Sequence, residues 1–508
     1  MGRFAELDPR LVVATAASAA ALLRFPGLFY PVGADEAGFT IVARHWDPGP
    51  EGVYGPYFLD RPPILVALVK LSDAVAGPYF LRLEAALGCA LLVIVAAATA
   101  REALRYAGLT DARLISRTGG WTAVLTAAFT ANAMIDPVMA KGEILGIPFV
   151  VASFWLALRS LNRPRVDGAA LSLAGGAGLA ALLALNMKQN LGAGLLFGAI
   201  VLVGARFAHR ITTRQLASLG GAALLGAAVP LLATLGWAVS AGVRLDALWY
   251  AVFGFRVDAF DVVAAGSRDG PAGRALLLLG ILAATGMAFV LAGIVIHRSR
   301  VYRLDRTLLV AAVSVVLLDL GGLWLGGSFW RQYLFVLVPG LVLCSALLLA
   351  VRVPVASRAR ALVVLAATTS ALSSGLWASL YHVGVAPPFE VRSGMAIAEA
   401  ARPGDSIVSY GGRADLVLAS GLDAPYRHLW SLPMRTLDPG LEELRALLSG
   451  PDAPTWVVMM APGYSWDHLA DPIRPVLDAR YRVHGQVCRD RYVYLLADLD
   501  RPPLTPEC

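Results

Sequence analysis

Two adjacent carboxylates, Asp35 and Glu36, stand a few residues after the first long apolar run of this sequence, residues 11–31. Two neighbouring carboxylates repel each other, and partial burial at the end of an apolar helix is expected to raise at least one of their pKa values. A raised pKa suits a general base. The alternative is a solvated acidic turn after Gly33. The rest of this loop contains a further acid–base pair and several aromatic residues, which favours the catalytic interpretation.

The composition is that of a membrane protein. Of 508 residues, 57% are apolar and only 16% are charged, against about 25% charged residues in a soluble domain. Apolar runs of about 20 residues, the length that crosses a bilayer, recur along the chain. We predict eleven transmembrane helices, near residues 11–31, 82–100, 119–135, 143–158, 169–187, 190–205, 216–241, 275–296, 307–325, 332–351 and 361–381.

Arginine clusters mark every second connection between these predicted helices. They occur near residues 101–117, 159–165, 206–214, 298–306 and 352–360. The positive-inside rule therefore places the N-terminus in the cytoplasm and, after eleven crossings, the C-terminus outside. This topology explains the net charge of +7, so nucleic-acid binding is not indicated. Only three of the 43 basic residues are lysine, a bias typical of GC-rich bacterial genomes, and we expect a bacterial plasma membrane.

Two long connections, residues 32–81 and 242–274, fall on the predicted outer side. Within the first, residues 62–80 are apolar but contain Lys70 and Asp73. If this segment crossed the membrane, every later arginine cluster would face outward. The sequence therefore predicts an interfacial amphipathic helix that lies along the membrane surface.

The sequence becomes polar after about residue 383. We divide the chain into a transmembrane domain, residues 1–382, and a soluble extracytoplasmic α/β domain, residues 383–508. The predicted elements of this second domain are helices near 392–402, 437–449 and 466–479 and strands near 406–410, 455–460 and 491–496. Cys488 and Cys508 lie outside the cytoplasm in this topology, where a disulfide would persist. A frayed, unpaired chain end is the alternative.

Four basic residues at predicted outer helix ends are candidates for binding an anionic group: Lys188, Arg331, Lys141 and Arg24. Charges at a membrane boundary are costly and often functional, and arginine binds phosphate bidentately. The alternative is snorkelling to lipid headgroups. Glu143 has three alternative interpretations. It is a carboxylate on the acceptor side of the site, an ion-pair partner, or an acid favoured by the dipole at a helix N-terminus.

The aromatic residues and the histidine of the first loop also have two interpretations. Tyr57 and the other aromatic side chains near the outer boundary are expected to form an interfacial belt, with stacking on sugar rings as the alternative. No metal site is predicted, since the sequence shows no metal-ligand spacing. A divalent ion held by Asp35, Glu36 and His45 is the less favoured alternative.

The first loop shows a characteristic order of motifs. A helix is followed by the Asp-Glu pair, an aromatic-rich stretch, Asp60-Arg61-Pro62-Pro63, an interfacial helix and Arg82-Leu83. This order resembles the GT-C glycosyltransferases and, more narrowly, the protein O-mannosyltransferase and aminoarabinose-transferase superfamily. Lys188-Gln189 and residues 331–339 are similar to segments of bacterial members. Arg61 stands where many relatives have lysine, and the sequence of residues 383–508 does not assign that segment to any one relative.

The resemblance implies a transferase that takes a sugar, with mannose or arabinose expected, from a polyprenyl-phosphate donor. The acceptor would be a hydroxyl of an extracytoplasmic glycan, glycolipid or protein. Asp35 would act as the base, and Glu36 would position the acceptor or raise the basicity of Asp35. Single displacement would invert the anomeric centre, and no strong general acid is needed because the leaving lipid phosphate is a stable anion. No cofactor is required. The other implied roles are donor-phosphate binding by Lys188, Arg331, Lys141 and Arg24 and substrate positioning by Asp60, Arg61, Tyr57 and Glu143.

Two other functional classes are compatible with a polytopic membrane protein. A transporter or flippase for a lipid-linked or anionic substrate would carry charged sites near the membrane midplane, often within repeats. In this sequence the charges gather at one predicted surface and no repeat is evident. A sensor or assembly scaffold would use the C-terminal domain to bind a partner, and the acidic pair would be incidental.

Overall fold

Apolar segments fold into long helices throughout the first three quarters of the chain. The computed structural model describes residues 8–50, 52–265, 269–351, 356–384, 388–460 and 467–508. The helices before residue 383 are α1 (Pro9–Leu22), α2 (Ala34–Arg44), α3 (Pro63–Ala76), α4 (Pro78–Tyr106), α5 (Ala112–Thr130), α6 (Gly142–Leu161), α7 (Gly168–Met187), α8 (Ala193–Phe207), α9 (Thr213–Ser240), α10 (Leu245–Trp249), α11 (Phe255–Ala265), α12 (Asp269–Ala284), α13 (Met287–Leu304), α14 (Arg306–Leu325), α15 (Val338–Ala350) and α16 (Ala356–His382). A 3₁₀ segment, Arg331–Leu337, leads into α15.

Seven helical segments among the described residues are long and apolar enough to cross a membrane, and an eighth is formed if the bent pair α12–α13 is one span. The predicted multi-pass helical protein is therefore confirmed, but the count of eleven is not reached. The bend of 73° falls within the predicted span 275–296, where Gly286 adopts a left-handed conformation. The other predicted spans that fall short are α1 and α8, with 14 and 15 residues, and α5, which has 19 residues but begins with two arginines in its first turns.

The arginine-rich connections meet at one end of the helix bundle. Arg210 donates a hydrogen bond of 2.8 Å to Asp305 and another to the carbonyl of Tyr106, and Asn162 donates to Glu102 at 2.8 Å. Aspartates cap α5, α7 and α14 at this end by accepting hydrogen bonds from free backbone N–H groups, as the first turn of a helix requires. Four predicted clusters thus share one end, while the side chains of the fifth, near 352–360, lie outside those described.

Helix α4 fixes the distance between the two ends of the bundle. Glu102 lies at the arginine-rich end, and Arg82, twenty residues earlier on the same helix, lies at the opposite end against α2. A rise of 1.5 Å per residue separates them by about 30 Å, the thickness of the hydrocarbon core. The two ends therefore match the two membrane surfaces. Helix α3 has only 14 residues, too few to cross, in agreement with the predicted interfacial helix.

Residues 388–508, here called the C-terminal unit, combine short helices with one sheet. The elements are α17 (Phe389–Ala400), β1 (Ile407–Ser409), α18 (Ala414–Ser420), α19 (Ser431–Leu437), α20 (Glu442–Ser449), β2 (Trp456–Val458), α21 (Arg474–Arg480), β3 (Tyr481–Val487) and β4 (Arg491–Leu496). The sheet has the order β1-β2-β4-β3, with β1 and β2 parallel and the other neighbours antiparallel. The predicted α/β character is confirmed.

Two details of this unit differ from the sequence prediction, and a third decides between the two alternatives for Cys488 and Cys508. Strand β3 was not predicted, because a register shift between Val483 and Gly485 interrupts its alternation. The predicted helix 437–449 begins five residues later, as α20, and the Asp438 carboxylate caps α20 by accepting hydrogen bonds from its first N–H groups. Cys488 and Cys508 form a disulfide, which attaches the last residue to the end of β3.

Candidate active site

Asp35 lies in the first turn of α2, which begins after Gly33. The positive end of the helix dipole there favours a carboxylate. One oxygen, Oδ2, lies 2.7 Å from the Lys141 Nζ, and Oδ1 accepts a hydrogen bond of 3.0 Å from the indole N–H of Trp430. The Asp35 side chain keeps 29% of its surface exposed, so it is held in place from both sides and is still accessible.

The Lys141 ammonium controls the ionisation of Asp35. Burial alone would raise the pKa of Asp35, but the charge and hydrogen bond of Lys141, the charge of Arg61 and the hydrogen bond from Trp430 outweigh it and lower that pKa to about 2. Burial lowers the pKa of Lys141, but Asp35 and nearby carboxylates raise it above its usual value. The expectation of a raised pKa is therefore wrong for Asp35, which is fully ionised at neutral pH.

Trp430 reaches Asp35 across Gly38 of α2. A Cβ at position 38 would overlap the six-membered ring of the indole, so a residue without a side chain is needed there. Phe39 packs beside the same indole, with 5.9 Å between the ring centroids. The C-terminal unit therefore lies over the predicted catalytic residue.

Glu36 faces the protein interior, away from this accessible position. Its side chain is fully buried, and both oxygens receive hydrogen bonds from Arg82, at 2.9 and 2.6 Å. Backbone N–H groups of Ala140 and Gly33 donate to the same carboxylate. Because each oxygen already accepts two hydrogen bonds, Glu36 does not contact an acceptor as predicted. It fixes the start of α2 and thereby the position of Asp35.

Arg24 also has a structural position in place of the predicted phosphate contact. It is only 3% exposed, and its guanidinium donates to the backbone carbonyls of Thr130, Asp136 and Met139 at 3.3 to 3.4 Å. These carbonyls belong to the last residue of α5 and to the segment between α5 and Lys141. Arg24 therefore holds the loop that presents Lys141 and is not accessible to a lipid phosphate.

A second buried ion pair lies next to the first. Glu143, at the start of α6, accepts a hydrogen bond from Lys188, which follows the last residue of α7. The Lys188 Nζ lies 4.4 Å from the centre of the Tyr333 ring, an arrangement that stabilises a cation. Burial, together with the guanidinium groups of Arg61 and Arg256, lowers the pKa of Lys188 to about 8 against the opposing effect of Glu143.

Asp60 and Arg61 link the first loop to α11 and to α7. Asp60 pairs with Arg61 at 2.6 Å and with Arg256 of α11, and its backbone carbonyl accepts a hydrogen bond of 3.0 Å from Gln189. Burial lowers the pKa of Arg61, but the carboxylates of Asp60, Glu143 and Asp35 raise it above its usual value. Arg61 therefore lies within electrostatic reach of both of the other ion pairs.

These three pairs form one group, here called the charge cluster. Its members are Asp35, Asp60, Arg61, Lys141, Glu143, Lys188 and Arg256. With all of them ionised, the four bases exceed the three acids and the group carries a net charge of +1. The sequence identified every member except Arg256 as a candidate site residue. In the sequence, Arg256 is only one of the charged residues of the connection 242–274. Trp430 and Tyr333 were likewise not nominated.

Two further candidates, Arg331 and Tyr57, contact backbone carbonyls. Arg331 lies two residues before Tyr333. Its side chain is exposed and donates to the carbonyl of Met134 at 3.5 Å. The Tyr57 hydroxyl donates to the carbonyl of Ala424 at 3.1 Å, so this ring joins the first loop to the C-terminal unit.

The residues of the alternative metal site do not converge. Asp35 faces Lys141, Glu36 faces Arg82, and the His45 Nδ1 lies 2.9 Å from the carbonyl of Ile41. Within the described ranges, no group of three or more histidine, cysteine or acidic side chains is placed to hold a metal ion.

The helical core with its docked C-terminal unit has a GT-C-like fold, as the motif order predicted. The structure is similar to that of the Archaeoglobus fulgidus oligosaccharyltransferase tethered to an acceptor peptide, with a TM-score of 0.53 and 15% identity over 99% of this chain and 76% of that chain. It is also similar to AglB from Archaeoglobus fulgidus in complex with an inhibitory peptide and a dolichol-phosphate, with a TM-score of 0.50 and 14% identity over 97% of this chain and 75% of that chain.

A third solved structure overlaps less closely. ArnT from Cupriavidus metallidurans bound to undecaprenyl phosphate gives a TM-score of 0.45 and 15% identity over 97% of this chain and 98% of its own, a similarity on which no argument rests. No protein-family model and no curated protein matches the sequence. At these identities the comparisons establish the fold of the chain.

Proposed function

We propose that this protein is a glycosyltransferase that moves a sugar from a polyprenyl-phosphate donor to an acceptor hydroxyl. The observation that carries the proposal is the environment of Asp35, an accessible carboxylate kept ionised by Lys141 at the edge of a cluster with net positive charge. The GT-C fold supports it, and AglB, which shares the fold, was solved with a dolichol-phosphate.

The proposed reaction is a single displacement. The acceptor hydroxyl approaches Asp35 and its oxygen forms a bond to the anomeric carbon of the donor. The bond from that carbon to the phosphate oxygen breaks, and its electron pair leaves with the lipid phosphate, so the anomeric centre inverts. Asp35 takes the hydroxyl proton. With a pKa of about 2 it is a weak base, and proton transfer follows the development of positive charge on the attacking oxygen.

The cations of the charge cluster fit the donor phosphate. The Arg256 guanidinium is close enough to Lys188 to lower its pKa, and the excess of one positive charge in the cluster is available to an anion. Arg331 is exposed and lies two residues before Tyr333, whose ring contacts the Lys188 ammonium. A preorganised positive site stabilises the charge that appears on the leaving phosphate, which assigns Lys188, Arg256 and Arg331 to the donor and leaves Lys141 with Asp35.

The finer features are part of the same proposal. Mannose and arabinose are the expected sugars, and the acceptor is a glycan, a glycolipid or a protein in the extracytoplasmic space. We place the chain in a bacterial plasma membrane, with eleven crossings, a cytoplasmic N-terminus, a transmembrane domain of residues 1–382 and an extracytoplasmic domain of residues 383–508. No cofactor is required in this reaction.

Reconstituted protein separates this function from transport. The purified chain in liposomes, supplied with a radiolabelled polyprenyl-phosphate sugar and a glycan acceptor, should convert lipid-linked label into acceptor-linked label and release polyprenyl phosphate in equal amount. Protein-free liposomes are the control. Label that crosses to the other leaflet while it stays attached to the lipid would contradict the proposal and indicate a flippase.

The pH dependence of donor binding should report Lys188. Because burial and neighbouring guanidinium groups lower its pKa to about 8, this cation loses its proton above that pH, and the KM for the donor should rise from pH 8 to pH 10. In Lys188→Arg the side chain stays charged over this range, so the rise should disappear. A basic limb of equal size in wild type and Lys188→Arg, measured by initial rates, would remove Lys188 from the donor site.

A further inference from the structure

A cavity of about 320 Å³ lies where the first loop, α10 with the turn after it, and the C-terminal unit meet. Its walls include Tyr54, Tyr57 and Phe58 from the first loop, Tyr250 from the second long connection, and His428 and Glu443 from the C-terminal unit. The volume is at the lower end of the range for small-molecule sites, roughly 300–1,000 Å³. A cavity of this size fits a single ring-sized group.

His428 makes this cavity a polar site. The imidazole side chain is only 1% exposed, and neither of its ring nitrogens has a hydrogen-bond partner among the described residues. Its Nε2 lies 3.5 Å from a carboxylate oxygen of Glu443, and the neighbouring Arg427 Nε is also without a hydrogen bond within the described part of the chain. Buried polar groups are nearly always satisfied, and a ligand is one means of satisfying them.

The chemistry of the wall favours a group with several hydroxyls. Burial, followed by the charge of Arg427, lowers the pKa of His428 to about 4, so its ring is neutral at pH 7, with one nitrogen donating and the other accepting. A sugar hydroxyl can do both, whereas a phosphate or carboxylate can only accept from it. Tyr54 and Tyr57 already donate their hydroxyls to the carbonyls of Arg61 and Ala424, so their rings offer the cavity mainly apolar surface, which suits the apolar face of a sugar.

Two segments connect the cavity with the charge cluster. The backbone N–H of Phe58 donates to the carbonyl of Arg427 at 3.1 Å, which joins the two walls. Asp60 follows Phe58 by two residues, and Trp430, the hydrogen-bond partner of Asp35, follows His428 by two residues. Two residues of extended chain span at most about 7 Å, so both walls lead directly to the predicted reaction centre.

We propose that this cavity binds one sugar ring of the acceptor, with His428 and Arg427 on its hydroxyls and the tyrosine rings against its apolar face. The proposal rests on the glycosyltransferase function and specifies its acceptor as a glycan or glycolipid. The ring of the donor sugar has the same chemistry, and the experiment distinguishes the two sources.

The first measurement is binding without catalysis. Methyl α-mannoside and methyl α-arabinofuranoside are titrated into the purified full-length protein, and binding is followed by saturation-transfer NMR. Wild type should bind at least one of them, and His428→Ala should weaken that binding by about tenfold or more, as expected for the loss of a buried hydrogen-bonding partner. His428→Gln, which keeps one donor and one acceptor, should retain most of the affinity. His468→Ala, at an exposed histidine of the same unit, is the matched control.

The second measurement is the transfer reaction. His428→Ala should raise the KM for the acceptor by about tenfold while the KM for the donor stays within about twofold. A rise confined to the donor KM would assign the cavity to the donor sugar and overturn the proposal, as would unchanged glycoside binding in His428→Ala. If that variant does not fold, Tyr250→Ala at the edge of the cavity replaces it with the same expected KM change.

The two measurements separate the failure of this proposal from the failure of the proposed function. Glycoside binding that depends on His428, without any transfer, would support the sugar site and contradict the glycosyltransferase. Transfer with an unchanged acceptor KM in His428→Ala would support the glycosyltransferase and contradict the sugar site.

Discussion

Replacement of Asp35 by Asn is expected to lower kcat by roughly 10²–10⁴-fold, the usual contribution of a general base. Asparagine has nearly the size and shape of aspartate, and its single amide oxygen can accept a hydrogen bond from either Lys141 or Trp430, the two partners of the carboxylate. One of the two contacts is lost, but the amide still fits the same position. It cannot take the proton of the acceptor hydroxyl. The KM for the donor should change little, because the donor cations lie around Lys188. Initial rates with a radiolabelled donor, measured in nanodiscs, give both parameters.

The control for this experiment is Asp47→Asn. Asp47 belongs to the same loop but its side chain is exposed, so its replacement should leave kcat within about twofold. Thermal unfolding of Asp47→Asn should match wild type, whereas Asp35→Asn should unfold at a lower temperature because Lys141 loses its counter-charge, so kcat is measured well below that temperature. A wild-type kcat in Asp35→Asn would exclude Asp35 as the base and would make Glu143 the next candidate for that role.

Replacement of Arg82 by Met is expected to destabilise the protein by about 3–5 kcal/mol, the cost of removing one partner of a buried ion pair. Arg82 is 2% exposed and Glu36 is fully buried. The substitution would leave that carboxylate in the interior without its counter-charge. The guanidinium also binds the carbonyls of Gly27, Leu28, Tyr30 and Pro31, which lose this partner as well. Thermal unfolding in detergent, followed by intrinsic fluorescence, measures the loss.

Arg44→Met is the matched control for Arg82→Met. Arg44 lies at the end of α2 and pairs with Asp73 at 2.9 Å, but its side chain is 48% exposed, and exposed ion pairs contribute about 1 kcal/mol or less. Its unfolding temperature should therefore stay close to that of wild type. Equal destabilisation by the two substitutions would show that the Glu36–Arg82 pair has no special structural role.

The sequence predicted the membrane architecture because hydropathy and arginine clusters record it directly. Apolar runs located the spanning segments, and the clusters near 101–117, 159–165, 206–214 and 298–306 converge at one end of the bundle. A prediction that treats each apolar run as one straight span does not show that α1 and α8 are short or that the helix breaks at Gly286. A residue in the left-handed region bends a helix without changing its hydropathy.

The sequence predicted which residues belong to the candidate site, but it did not predict which partners they contact. The motif order selected Asp35, Asp60 and Arg61, and Lys141 and Lys188 were selected by their positions at predicted outer helix ends. Their partners separate these residues from Glu36 and Arg24, which contact Arg82 and backbone carbonyls. Such partners have no sequence pattern. Trp430 and Arg256 were missed for a related reason, since long-range contacts made by single side chains leave no periodic signal along the chain.

The hydrogen bond between Trp430 and Asp35 joins residues 395 positions apart. Ribosomes add about 5–20 residues per second, so roughly 20–80 s of synthesis separate the two side chains. For most of that interval both Asp35 and Lys141 exist, while the segment that covers them does not. The proposed reaction centre is therefore completed by a segment that is synthesised long after its charged residues. Chains that are interrupted before Trp430 carry the charged residues of the site without its cover.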